Sequence, residues 1–109
     1  MSFINLNQFD EIEFFQGYFG RFVHSKNMTL AYVRVKAGAE LPEHSHPHEQ
    51  ICNVIEGDFE LTVEGKPHLM KANNTYNIPS NAVHSGRAIT ECKIIDAFYP
   101  VREDFKELR

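Results

Sequence analysis

Six histidines occur in the 109 residues, and three of them crowd into His44-Ser45-His46-Pro47-His48, followed at once by Glu49-Gln50. Neutral imidazole is the commonest side-chain ligand of transition metals. Two histidines at i and i+2 point to the same face of a strand, which lets a β-protein offer both rings to one ion. Pro47 ends such a strand, so Gln50 can return from the next element as a third donor. A fourth donor must come from elsewhere, and His84, in Ile78-Pro79-Ser80-Asn81-Ala82-Val83-His84, is well placed. On the cluster alone, a solvent-exposed histidine loop with adventitious metal affinity is the competing reading. His48 is expected behind the ligands or in solvent, and His24 and His68 are ordinary.

A second set of residues lies downstream, in Asp96-Ala97-Phe98-Tyr99-Pro100-Val101-Arg102. Asp96 alternates with Ile94 and Phe98 and so shares their face, where an unpaired carboxylate is expensive. It is either a structural ion-pair partner, or a residue at a barrel mouth, or a carboxyl group tuned for proton transfer. Arg102 is either a solvated cation at the start of a terminal helix or a planar fork for a substrate carboxylate.

The elements that must position these groups read as short strands. Gly and Pro punctuate the chain at Gly38, Pro42, Pro47, Gly57, Gly65, Pro67, Pro79, Gly86 and Pro100, the pattern of an antiparallel sandwich or barrel. Leu30, Tyr32 and Arg34 alternate with Ala31, Val33 and Val35. After a turn at Glu56-Gly57-Asp58, Phe59, Leu61 and Val63 alternate with Glu60, Thr62 and Glu64, giving one buried and one wet face. A further strand is expected from Ile89 to Phe98. Only the tail has helical spacing, with Val101, Phe105 and Leu108 at i, i+4 and i+7. The aromatic stretch Phe14-Phe15-Gln16-Gly17-Tyr18-Phe19 either plugs the domain or meets a second subunit, and the subunit contact, hence a homodimer, is favoured.

Composition bounds the function. A length of 109 residues with 42% apolar and 24% charged residues makes one domain, 1–109, with a core of its own. The net charge of −4, with scattered Lys and Arg, gives no electrostatic footprint for nucleic acid or an anionic membrane. No apolar run approaches the roughly 20 residues of a membrane span. The acidic N-terminal residues MSFINLNQFDEIEFF lack a basic region followed by an apolar stretch, so no secretory leader is expected. Cys52 and Cys92 form no CxxC, share the parity of their inward-facing neighbours and are expected to be core thiols of a cytoplasmic protein.

Gly38, His44, His46, Gln50 and Gly57 stand at the spacing of the first cupin motif (38–57), with Gln50 where Glu is usual. Asn73, Pro79, Asn81 and His84 resemble the second (73–88), departing from it at Asn73 and Asn81, where Gly is usual, and at Ala88, often Asn. The resemblance to the cupin superfamily covers about half the chain. It implies a small all-β barrel or jelly roll with a short C-terminal helical turn, binding one divalent transition metal through His44, His46, Gln50 and His84. Imidazole-rich sites suit Zn, Ni, Co, Fe or Cu. With Gln50 replacing a carboxylate, the protein leaves the ion's charge uncompensated, which favours an anionic ligand and counts against dioxygen chemistry. The histidine motif together with the Asp96-x-Phe98 strand and the Pro100-x-Arg102-Glu103-Asp104 turn resembles the KdgF type of cupin. That family converts 4,5-unsaturated monouronates to linear keto forms. The resemblance implies catalytic roles for Asp96, Phe98 and Arg102 and a small anionic sugar as substrate. A dioxygenase-type cupin and a non-catalytic sugar- or metabolite-binding cupin are the alternatives.

Overall fold

Side-chain alternation decides which face each strand buries, and the computed structural model, which describes residues 2–108, follows it closely. In β3 (Thr29–Val35), Thr29, Ala31, Val33 and Val35 are buried and the residues between them are not. In β6 (Phe59–Val63), Phe59, Leu61 and Val63 point inward. Around them lie β1 (Ile12–Phe15), β2 (Tyr18–His24), β4 (Glu40–His44), β5 (Glu49–Glu56), β7 (Lys66–Met70), β8 (Thr75–Ile78), β9 (His84–Ala88) and β10 (Cys92–Tyr99). One helical turn, α1 (Glu103–Lys106), follows β10.

The strands form two antiparallel sheets in a jelly-roll arrangement. One has the order β1-β2-β3-β10-β5-β8 and the other β4-β9-β6-β7. Phe22, Val35, Val54 and Ile78 of the larger sheet and Phe59, Leu61 and Val63 of the smaller one make the core between them, with Cys52 and Cys92 also buried and unpaired. β7 carries Pro67 and exposes Leu69. It lies at the edge of its sheet, where a residue without an N–H is tolerated. Among the described residues no helix is long and apolar enough to cross a membrane.

One expectation needs correction. The last strand begins at Cys92, because Ile89 and Thr90 are drawn into a turn: the Ile89 N–H donates to the Asp58 carbonyl at 2.9 Å and the Asp58 N–H to Thr90 Oγ1 at 3.0 Å. The N-terminal aromatic stretch plugs the domain. Phe14 packs edge-on against Tyr18 and Phe22 at 6.2 and 5.5 Å and against Phe105 at 5.8 Å, and Tyr18 is buried. Those two rings pack within the chain, while Phe15 remains 40% exposed.

Gly57 adopts φ +90°, and a Cβ there would run into the Glu91 carbonyl oxygen and come within 2.9 Å of the Cys92 Sγ. Both the left-handed backbone and the lack of space require glycine. Gly57→Ala is expected to destabilise the fold by about 2 kcal/mol or more, read as a lowered urea midpoint at unchanged m-value.

Glu11 ties the N-terminal segment to the larger sheet through Arg34 at 3.0 Å and Arg21 at 3.6 Å. The Arg34 hydrogen bond holds its carboxyl below the usual range despite some burial. A depressed carboxylate stabilises the fold above its unfolded pKa of about 4.3, and that contribution disappears as pH falls through the lower folded value. The stability difference between wild type and Glu11→Gln should therefore be constant near neutrality and shrink only below about pH 4.3. Denaturant melts across pH would show no such shrinkage if the pair contributed nothing.

Candidate metal centre and cavity

β4 ends and β9 begins at one mouth of the sandwich. The antiparallel register sets His44 directly opposite His84, with ring centroids 4.2 Å apart. His46 arrives differently from expectation. β4 stops at His44, so His46 is delivered by the following loop and not by the same strand face. That loop is held by the second motif: the Asn81 N–H donates to the His46 carbonyl at 2.8 Å and Ser80 Oγ to the Pro47 carbonyl at 2.6 Å. Asn81 and Asn73 have φ of +65° and +72°. These are the two positions where the cupin motif usually has glycine, and Asn is among the non-glycine residues that most readily accept the left-handed region.

Each of the three imidazoles faces a backbone carbonyl with Nδ1. His44 donates to Pro42 at 2.8 Å, His46 to His48 at 3.0 Å and His84 to Ala82 at 2.9 Å. This fixes the tautomer and leaves every Nε2 lone pair available. Burial, with Arg102 and His84 adding to it, pushes the His46 pKa down to about 4; burial also lowers that of His84, so these rings are neutral at neutral pH. The ligating atoms of the three rings all lie within 4.8 Å of one another, and His84 Nε2 is buried with no hydrogen-bond partner.

Gln50, buried in β5, adds a further lone pair. Its side-chain amide draws the Asp96 pKa downward, and its Oε1 lies 3.1 Å from His46 Nε2. A neutral His46 that already donates through Nδ1 has no proton for this contact. Two acceptors at such a distance repel unless a cation lies against both, so the donor set fits a metal ion.

Asp96 sits on β10, with Cys52 and Ala31 as its cross-strand neighbours. Its Oδ1 is enclosed without a hydrogen-bond partner. Burial pushes its pKa up to about 6, against the opposing pull of the Gln50 amide, the Cys52 thiol and Arg102. Phe98, also inward on β10, meets His46 edge-on at 5.8 Å. Arg102 follows β10, its guanidinium 4.7 Å from the Phe98 ring centroid.

A single cavity of about 200 Å³ is lined by all seven residues singled out in the sequence: His44, His46, Gln50, His84, Asp96, Phe98 and Arg102. A cleft this small suits one sugar-sized molecule. Sequence reasoning missed its other walls. Phe14, Tyr18, Phe59 and Phe105 close the apolar end, and Cys52 stands beside Asp96. Cys52 could have been found by its i, i+2 spacing from Gln50; Phe14 and Tyr18 carried no signal separating a cavity wall from a subunit contact. His48 stands behind His46 at 5.4 Å, outside the cluster, while His24 bonds Thr29 and His68 packs at a tilt against Tyr76.

Comparison with known proteins agrees with this geometry. Residues 31–98 match the family model described as the cupin domain. The chain is 32% identical over 83 residues to the pectin degradation protein KdgF of Dickeya dadantii (strain 3937), covering 74% of this chain and 76% of that protein. The structure of KdgF from Halomonas sp. superposes with a TM-score of 0.91 at 26% identity, covering 96% of this chain and 98% of the other. An RmlC-like cupin from Shewanella frigidimarina NCIMB 400 superposes equally well, with 0.91, 26% identity and 96% of each chain. With the cupin model matched across most of its strands and a KdgF relative aligned over three-quarters of its length, the chain belongs to the KdgF family of cupins.

Proposed function

We propose that the protein is a metal-dependent cupin that converts 4,5-unsaturated monouronates, the products of pectin or alginate lyases, to linear keto forms. The observation that carries this reading is the convergence of the imidazole cluster, Asp96 and Arg102 on one sugar-sized cavity. In this reading residues 1–109 form one cupin domain, and His44, His46, Gln50 and His84 hold one divalent transition metal: Zn, Ni, Co, Fe or Cu. Bound there, such an ion supplies Lewis acidity toward substrate oxygens.

The substrate ring is an enol ether closed by a hemiacetal at C1. Asp96 takes the C1 hydroxyl proton as the C1 carbonyl forms and the bond from C1 to the ring oxygen breaks, leaving the enolate of a C5 ketone. The same carboxyl returns that proton to C4, so the enolate becomes the ketone and atoms and charge balance as an isomerisation. A carboxyl held near pKa 6 both accepts and gives up a proton near neutrality. Arg102 holds the uronate carboxylate and Phe98 packs on the ring face. The neutral donor set leaves positive charge at the site, which suits an anionic sugar and not dioxygen activation. A homodimer in a reducing cytoplasm completes the reading: Cys52 and Cys92 are unpaired, and Ile51, Ile55 and Tyr99 leave an apolar patch on the outer face of the larger sheet.

Proton NMR of freshly prepared unsaturated monouronate in deuterium oxide with metal-loaded protein tests the reaction. The expected product is the open-chain ketone carrying deuterium at C4, formed faster than in buffer alone. Retention of the ring with perturbed substrate signals would favour a binding cupin, and oxygen consumption a dioxygenase.

A further inference from the structure

Arg102 is held from three directions. Its Nε and Nη2 donate to Asp104 Oδ1 and Oδ2 at 3.0 and 2.8 Å, a bidentate pair two residues apart. Its guanidinium carbon lies 3.9 Å from the Phe105 ring centroid as well as 4.7 Å from that of Phe98. Its backbone N–H donates to Thr29 Oγ1 at 2.9 Å, and Thr29, fully buried in β3, is 2.8 Å from His24 Nδ1. The side chain is only 12% exposed, against 59% for its partner Asp104.

A guanidinium offers two bidentate edges. Asp104 occupies the edge made by Nε and Nη2, which leaves the edge made by Nη1 and Nη2 for another anion. The Phe98 and Phe105 rings confine the plane in which that edge can lie. We propose that Asp104 is a positioning residue of the carboxylate subsite: it orients Arg102 so that the free edge of the guanidinium accepts the substrate carboxylate in one defined plane. This rests on the uronate reading above and extends it to a residue outside the cavity wall.

Charge and positioning make opposite predictions. Were Asp104 merely a neutralising neighbour, Asp104→Asn would raise the positive charge of the site and tighten anion binding. As a positioning residue its loss frees the guanidinium to swing, and binding weakens. Asn keeps an acceptor near the N–H groups at the start of α1, which help hold the Asp104 pKa down. Glu103→Gln, on the same turn and paired with Lys106 at 3.4 Å, changes the net charge equally without touching Arg102.

With metal content and melting temperature checked, D104N should raise KM for the unsaturated uronate roughly tenfold while kcat stays within about threefold. Glu103→Gln should match wild type and Asp104→Glu should recover most of the loss. A KM for D104N at or below wild type, or equal effects of D104N and E103Q, would overturn the proposal. Calorimetric binding of galacturonate, a saturated monouronate that cannot react, repeats the comparison without turnover. A wild type that binds galacturonate yet turns over nothing overturns the reaction proposed above, and the ratio of D104N to wild-type affinity then decides this inference. A wild type that binds neither sugar overturns both.

Discussion

Asp96→Asn is expected to lower kcat by a factor of about 100 to 10,000 while leaving the metal in place. The magnitude is that of removing a positioned proton-transfer group. The retention of metal follows from geometry. Asp96 is not among the clustered imidazoles, and an Asn carbonyl keeps an acceptor facing Gln50. Asn cannot carry the proton, because its amide has no acid–base equilibrium near neutrality. Asp96→Ala adds a control: it removes both the proton carrier and the acceptor, so metal affinity should fall as well as kcat. Steady-state kinetics beside elemental analysis of the two variants checks this. Full activity in D96N with metal bound would remove Asp96 from the reaction.

Loss of a single imidazole should have the other large effect. Saturating the site with a divalent ion at about 100 times its dissociation constant stabilises the fold by about 2.7 kcal/mol. For a domain of this size that is a rise in melting temperature of roughly 10–20 °C. His84→Ala should abolish the rise and the activity together, because His84 faces His44 in register and its Nε2 has no partner within the protein. Calorimetric scans of wild type and variant, each with chelator and with added zinc or nickel, measure it. Equal metal-induced shifts in both proteins would mean that the ion binds elsewhere.

Much of this architecture was legible because period-two alternation is a direct record of burial. Phe59, Leu61 and Val63 named their own face, and Asp96 stood out because it interrupted an apolar one. The clustering of His44, His46 and His84 was legible because such spacing is a constraint that strands and turns must satisfy. The route was less so: His46 leaves β4 and is carried by a loop whose anchor, the Asn81 N–H, comes from 35 residues further on. The departures at Asn73 and Asn81 became intelligible only with their positive φ, a backbone property that residue type hints at without fixing.

Other features were hidden for physical reasons. Whether Phe14 and Tyr18 fill their own domain or a neighbour's depends on what α1 brings back to them. Phe105 closes that contact from the other end of the chain. β7 exposes Lys66, Pro67, His68 and Leu69, so it carries no alternation, and it is a strand through its backbone pairing with β6. The bidentate Arg102–Asp104 pair was unreadable because a one-turn helix leaves too little periodicity to say where a side chain points.

The most direct test of the central claim follows the ultraviolet absorbance of the conjugated double bond in freshly prepared unsaturated monouronate, with the spontaneous rate subtracted. Metal-loaded protein should accelerate its loss, chelator should abolish the acceleration, and re-added metal should restore it. No acceleration over buffer, with metal confirmed at the histidine cluster, would contradict the claim.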